Sequence, residues 1–323
     1  MANNASQTRD WSQYTAAAKK SGEITFYISR EAIEDWENLQ LTGQRGASKT
    51  YSNIAIETCL TLRAVYGLSL RKANGFVYSI IQMMKLALKC PDYTTLCKRA
   101  QTLKITFERP VTKEPIVVAI DSTGIKVYGE GEWKVRQHGV GKRRTWLKLH
   151  VTVNVHNHHI EAFEVTPNNV ADCEVAPRLL KSIKAPIDAC SGDGAYDVES
   201  VYQALEDIGA RPIIPPRRHA ILQNPAHASS AKAPRDAAIN YINQHGGGDN
   251  ARAAWKKDSN YHARSLSETA MYRFKTHFGP SVRARIFDNQ CTEIAIKVKA
   301  INKIAALGTF PLNRSEAIMP LNN

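Results

Sequence analysis

The sequence predicts an α/β fold: a mixed sheet flanked by helices, preceded by a small helical region and interrupted by an insertion before a late helix. Three observations carry this. Residues 116–121 (Ile-Val-Val-Ala-Ile-Asp) form a short apolar run rich in β-branched side chains, a buried strand by composition. Two stretches that alternate apolar and polar residues, 147–155 and 160–166, flank a His-Asn turn and make a hairpin. Beyond them, segments with helical and strand spacing take turns up to Ile214, and such a string packs as a sheet with helices on it.

In chain order, residues 1–22 are polar and read as loose, with Trp11 and Tyr14 as docking points. Ser29 can cap a helix over 29–39, with Ile33, Trp36 and Leu39 at helical spacing; 43–50 reads as a loop. Stronger helices cover 53–66, stopped by Gly67, and 69–88, and Pro91 ends the helical region. A helix, glycine turn and helix over 53–88 is the pattern of a helix-turn-helix, with Arg63, Arg71 and Lys72 nearby, although two packed helices are more often plain architecture. Arg109-Pro110 and Pro115 mark a linker, which divides the chain into a helical region, 1–110, and a sheet-bearing domain, 111–323. Within the second, 172–183 is helical, 186–191 is a strand ending at Gly192-Asp193-Gly194, 198–208 is a helix, and 211–214 is a strand closed by Pro215-Pro216. Residues 217–258 are Ala-rich and Gly-punctuated, an insertion with one helix around 234–243. A long helix over 259–277 and a last one over 289–307 complete the string.

The 323 residues suffice for a sizeable core. With 43 Lys+Arg against 30 Asp+Glu, the net charge of +13 favours a polyanionic partner, nucleic acid first among them. Six scattered cysteines show neither zinc-site spacing nor a disulfide framework. No signal peptide or membrane-length apolar run is visible, so the expected compartment is the reduced cytoplasm, with no membrane partner.

The chemistry starts from carboxylates. Asp121 ends a buried strand and Asp193 follows another, and strand ends at one edge are where open sheets place their sites. Hard oxygen ligands in twos and threes suit Mg²⁺, with Mn²⁺ as a substitute. A single Asp at a strand end is more often a turn former, so each alone says little. On the late helix, Tyr261, Arg264, Glu268 and Lys275 follow at spacings of 3, 4 and 7. At helical periodicity these four point within roughly 60° of one another, one stripe carrying a phenol, two cations and a carboxylate.

These residues carry a resemblance. Tyr261-x-x-Arg264-x-x-x-Glu268 followed by Lys275 is similar to the Tyr, Arg, Glu, Lys signature of bacterial insertion-sequence DDE transposases, and its surroundings resemble the group named after insertion sequence five. Asp121-Ser122-Thr123-Gly124 and Asp193-Gly194-Ala195-Tyr196-Asp197 resemble that group's first and second acidic motifs, and Pro91 to Leu96 is similar too. The resemblance covers most of the chain, from about residue 50 to about residue 308. It implies a ribonuclease-H-like catalytic domain in which Asp121, Asp193 and Glu268 form the DDE triad. Asp197 is the nearest rival for the second position and Asp188 a weaker one. It further implies metal-dependent cleavage at the inverted-repeat ends of an element, two ions steadying attacking and leaving oxygens. Strand transfer of the freed 3′-hydroxyl into target DNA follows, without a covalent protein–DNA intermediate. Tyr261, Arg264 and Lys275 would hold phosphates or flanking bases. The implied partner is double-stranded DNA, with at least a homodimer on it to pair two ends; the implied setting is the bacterial nucleoid.

Further cations support that partner. Between Trp133 and Lys148 stand Lys134, Arg136, His138, Lys142, Arg143 and Arg144 without an acid, a basic finger able to track a DNA backbone. Arg217 and Arg218 are a second expected phosphate contact. His156, His158 and His159 fit no standard ligand set and read as a hairpin turn. No Gly-rich nucleotide loop is present, so no nucleotide cofactor is expected. Two other readings use the same residues: a stand-alone metal-dependent nuclease or resolvase of the same fold, and a DNA-binding protein derived from a transposase.

Overall fold

A computed structural model describes residues 11–38, 50–106, 112–127 and 146–307. The chain divides into two compact units. Among the described residues the first holds 11–106 and 276–307, and the second holds 112–126 and 146–275.

The first unit is helical. It contains α1 (Trp11–Gly22), α2 (Arg30–Glu34), α3 (Asn53–Val65), α4 (Leu70–Met83), α5 (Tyr93–Thr102) and, from the far end of the chain, α11 (Phe287–Ala305). Local chemistry sets the starts. Ser29, Ser52 and Ser69 each accept a hydrogen bond from the backbone N–H three residues on, and Asp92 accepts from Thr94 N, satisfying first-turn donors that a helix leaves open. Gly67, at φ +62°, stands between α3 and α4 in a conformation that suits glycine. The core joins Trp36, Ile56, Leu60, Leu62, Val77, Ile81 and Leu96 to Ile296 of α11.

Four expectations are corrected in this unit. Residues 11–22 are a helix rather than loose chain. The helix expected over 29–39 ends at Glu34, because Asn38 N donates to Thr50 O and Glu37 pairs with Tyr51, drawing the chain into an extended bridge. The helical region does not end at Pro91, since Asp92 caps a further helix. Arg63, expected near a DNA-reading surface, is turned inward: its side chain is 13% exposed and lies 3.5 Å from the Glu293 carboxylate.

The second unit is built on a sheet whose strands run β3-β2-β1-β4-β5. These are β1 (Ile116–Val127), β2 (Trp146–Asn154), β3 (Ile160–Pro167), β4 (Ile187–Ser191) and β5 (Arg211–Ile213). β1, β2 and β3 are antiparallel neighbours, whereas β4 and β5 run parallel to β1. Helices α6 (Asp172–Ser182) and α7 (Glu199–Asp207) make the crossovers, as parallel neighbours require. This is the mixed sheet flanked by helices that a ribonuclease-H-like fold implies. The His-Asn segment is the β2–β3 turn, with Asn154 Oδ1 accepting from His156 N and His158 at φ 58°.

Period-two alternation sorts the sheet's side chains. Val118, Ile120 and Cys190 face α6 and α7 and join Val175, Leu179, Leu180, Val201, Tyr202 and Leu205 in one core. Val117, Ala189 and Ile213 face the other way, where Trp255 and Tyr261 pack. The insertion carries two helices instead of the expected one, α8 (Ala233–Gln244) and α9 (Gly248–Asp258). Gly246 and Gly247, both at positive φ, separate them, and Gly248, also at positive φ, opens α9. The late helix α10 (Ser265–Phe278) begins later than expected. Asn260 adopts the left-handed conformation (φ 57°, ψ 31°), so residues Tyr261–Arg264 form a 3₁₀ turn ahead of it. No described helix is long and apolar enough to cross a membrane.

Candidate active site

Backbone pairing puts two of the acids side by side. β4 pairs with β1 in parallel register as far as Ala119 opposite Ser191. Asp121 and Asp193 each stand two residues past that pair, where β4 ends and β1 continues along β2. Asp121 is thus not the last residue of its strand. β1 runs on to Val127, held by the β2 ladder, and burial loosens from Asp121 onward as the β4 neighbour ends.

The turn after β4 is tight. A Cβ on Gly192 would sit 2.9 Å from the Tyr196 ring and 3.0 Å from Ile120 Cγ2, so the position has no room for a side chain. Asp193 caps the 3₁₀ turn Gly194–Tyr196, its Oδ1 accepting from Ala195 N at 2.8 Å. Gly194 meets nothing closer than Pro215 O at 3.7 Å, so of the two flanking glycines Gly192 is the one sterically required.

Asp121 lies on the same face as Val117 and Ala119, the side covered by Tyr261 and Trp255. From that side the 3₁₀ turn and α10 reach it. Arg264 Nη1 donates to Asp121 Oδ2 at 3.1 Å while Arg264 Nη2 donates to the Glu268 carboxylate. Ser267 Oγ lies 3.3 Å from the same Asp121 oxygen, and Ser122 N donates to Asp121 Oδ1 at 2.8 Å. Further along α10, Lys275 Nζ donates to Thr123 Oγ1 at 2.6 Å. The Arg264 guanidinium also stands 5.9 Å from the centre of the Tyr261 ring. Asp121, Arg264, Glu268, Tyr261 and Lys275 are therefore gathered along one line, with α10 and its preceding turn on one side and β1 on the other.

Charge follows geometry. Burial pushes the Asp121 carboxyl above its usual range and Asp193 adds to this, while Ser122 N, Arg264 and Ser267 pull the other way. Burial raises the Tyr261 phenol, as do Asp193 and Asp121, against the pull of Arg264. Burial opposes the charge of Arg264, yet the charges of Tyr261, Asp121, Glu268 and Asp193 leave its pKa raised.

The structure singles out two residues that sequence spacing does not. Ser267 is fully buried between Arg264 O and Asp121. Tyr196 lies beneath the site with its hydroxyl buried and, among the described residues, without a hydrogen-bond partner. Burial raises its phenol, and the charges of Asp172, Asp121 and Asp193 raise it further. A motif position could have flagged Tyr196; nothing local could have flagged Ser267, whose role depends on packing against a strand far away in sequence.

Asp197, weighed against Asp193 for the second acid, is committed elsewhere: its side chain is 1% exposed and paired with Arg235. Asp188 lies within β4, ahead of its C-terminal end. Arg217 Nε donates to Gly194 O at 3.3 Å, and Arg218 forms an exposed ion pair with Asp249 at 3.4 Å. Lys134, Arg136, Lys142, Arg143 and Arg144, with Trp133 and His138, lie outside the described residues.

Among the described residues no group of three or more His, Cys, Asp or Glu is placed to hold a metal ion. The donor set fits a hard divalent cation in kind, since Asp121 and Asp193 offer carboxylate oxygens close enough for one charge to act on the other. A cation already bridges Asp121 and Glu268, the guanidinium of Arg264.

Two family models match, both described as Transposase DDE domain, one over residues 19–130 and the other over 112–303. Solved structures are similar only distantly. The Drosophila P element transposase strand transfer complex is 12% identical with a TM-score of 0.28, over 91% of this chain and 71% of that one. The Mos1 transposase paired-end complex with left transposon end is 10% identical with a TM-score of 0.23, over 84% of this chain and 83% of that one. Neither likeness speaks to mechanism. The second family model alone spans more than half of the chain and takes in all three acids and the cations around them, and the chain belongs to the DDE transposase family.

Proposed function

We propose that this transposase cuts at the inverted-repeat ends of an insertion sequence of the insertion-sequence-five group and transfers the freed 3′-hydroxyl into target DNA, using Asp121, Asp193 and Glu268. One observation carries the reading. Asp121 and Asp193 stand at the same offset past the last shared pair of the parallel strands β1 and β4, and Glu268 is linked to Asp121 through one guanidinium. Two carboxylates at a sheet edge with a third on a helix is an arrangement suited to holding Mg²⁺, with Mn²⁺ as substitute. When bound, such ions supply Lewis-acid activation of the attacking oxygen and charge stabilisation of the leaving one.

The chain's own side chains do the rest. Ser122 N and Ser267 Oγ fix the two oxygens of Asp121. Arg264 and Lys275 present cations along the same line, where they can hold phosphates, and the Tyr261 ring beside Arg264 can take a flanking base. Lys134, Arg136, Lys142, Arg143, Arg144, Arg217 and Arg218 extend the basic track along double-stranded DNA, which the net charge of +13 favours. The helices α3 and α4 add DNA recognition within 1–110, and 111–323 carries the chemistry. Joining two ends requires at least a dimer on DNA.

The test is strand joining by purified protein with its own end DNA and Mg²⁺. Joining should be lost in Asp121→Asn, Asp193→Asn and Glu268→Gln while end binding persists. Joining that survives Asp121→Asn or Glu268→Gln overturns the assignment, and cleavage without joining would favour a stand-alone nuclease.

A further inference from the structure

Asp197 stands one turn past Asp193 and is among the most enclosed charges in the second unit. Its Oδ1 accepts from Tyr202 Oη at 3.0 Å and from Arg235 Nε at 2.9 Å, and its Oδ2 accepts from Arg217 N at 2.8 Å. The donors come from α7, from α8 of the insertion and from the segment after β5. Arg235, itself 16% exposed, also donates to Ile221 O at 2.8 Å, and Arg217 Nε returns to Gly194 O at 3.3 Å. The 3₁₀ turn Gly194–Tyr196 is thus tied down at its far end by a buried ion pair and at its first residue by a guanidinium. Asp193 caps the near end of that same turn.

A buried carboxylate with three donors has little capacity left for another ligand. Asp193, by contrast, spends one oxygen on Ala195 N at the surface edge of the sheet. The two acids of the motif therefore divide the work. We propose that Asp197 is a positioning residue: through its buried pair with Arg235, the helical insertion fixes the turn that presents Asp193 beside Asp121. This rests on the reading of Asp121 and Asp193 as the carboxylates that hold a divalent ion. It assigns the insertion a task that its sequence does not announce, because without Arg235 the Asp197 charge would be buried and unmatched.

The experiment measures Mn²⁺ binding to the full-length protein by titration calorimetry, with thermal melting of every variant alongside. Arg235→Gln and Asp197→Asn should each weaken Mn²⁺ binding about tenfold, as losses of groups that orient a metal ligand do. Binding of an end-DNA duplex without divalent ion should change less than about twofold, since both side chains are largely enclosed within the protein. Arg235→Lys, which keeps a charge for Asp197, should restore most of the Mn²⁺ affinity. Unchanged Mn²⁺ affinity in both folded variants overturns the proposal, and so does a parallel loss of DNA binding and melting temperature that Arg235→Lys fails to rescue. Asp193→Asn binding Mn²⁺ like the unaltered protein overturns it too. Asp193-dependent Mn²⁺ binding in a protein that never cuts its end DNA would instead sink the transposition reading and leave this one standing.

Discussion

Arg264 binds Asp121 and Glu268 at once, one guanidinium nitrogen donating to Asp121 Oδ2 at 3.1 Å and the other to the Glu268 carboxylate. The two acids come from a strand and a helix far apart in sequence, and this side chain is what joins them. Its planar fork allows that with two separate nitrogens, whereas a lysine would have to serve both acids from a single nitrogen.

Arg264→Gln should therefore slow end cleavage by about 100-fold, the scale expected when a preorganised charge-stabilising donor is removed. Arg264→Lys should recover little of it. Single-turnover cleavage at saturating protein would show this, and a loss below about threefold would mark Arg264 as an ordinary surface cation.

Gly192→Ala tests the packing under the site. The new methyl would meet the Tyr196 ring at 2.9 Å and Ile120 at 3.0 Å, both buried and neither at the end of a flexible chain. The expected destabilisation is about 1–3 kcal/mol by urea denaturation, as for other overpacked cores. An unchanged midpoint would show that the turn can move freely, which would also weaken the account of how Asp193 is held.

Much of this is legible in the sequence. The apolar run at 116–121, the alternating hairpin and the strand before Asp193 all appear in the structure, because period-two burial is written in the residue types. The continuation of β1 past Asp121 is not, since residues 122–127 owe their strand geometry to pairing with β2 rather than to composition. Spacing placed Tyr261, Arg264, Glu268 and Lys275 on one helical stripe. The structure does bring them together, but through a 3₁₀ turn that starts after Asn260, a break carried by one backbone conformation. Helix α9 is not legible in the sequence because Gly248–Asp258 is polar and opens on glycine; it is held by hydrogen bonds such as that from Arg252 to Pro216 O.

The first unit offers a pH test. Glu293 of α11 is buried; burial disfavours its charge, but Lys297 and Arg63 outweigh that and hold its carboxyl below the usual range. A carboxyl lowered on folding lends stability above its unfolded pKa and loses it as pH falls through the folded value. The denaturation midpoint should accordingly drop on acidification below the ordinary glutamate range, about pH 4.3. Glu293→Gln should cost about 3 kcal/mol at neutral pH, because Lys297 and Arg63 lose their partner, and should flatten the acid limb. Parallel pH curves for the two proteins would show that other carboxylates set the limb.

Neutralising Arg143 and Arg144 together should weaken binding to any DNA sequence. The slope of log affinity against log salt should fall by about 1 to 2, since each phosphate that is no longer neutralised keeps roughly one condensed counterion. Fluorescence anisotropy across a salt series reads this directly. An unchanged slope would remove the basic segment from the DNA track.

The parallel pairing of Ala119 with Ser191 acts as a ruler for Asp121 and Asp193. Deleting one residue from β4 would turn its alternate side chains to the opposite face, and sliding by two would shift the ladder by about 6–7 Å. No change of side chain elsewhere could compensate. The segment after β5 lies downstream of that ruler, so it can lengthen or shrink without altering the spacing, provided that an arginine still reaches Asp197. Length changes among related chains should thus be tolerated within 217–258 where they leave Arg217 and Arg235 in reach of Asp197, and be lethal to transposition within 116–121 and 187–193, which a deletion scan across both regions would display as two sharply different landscapes.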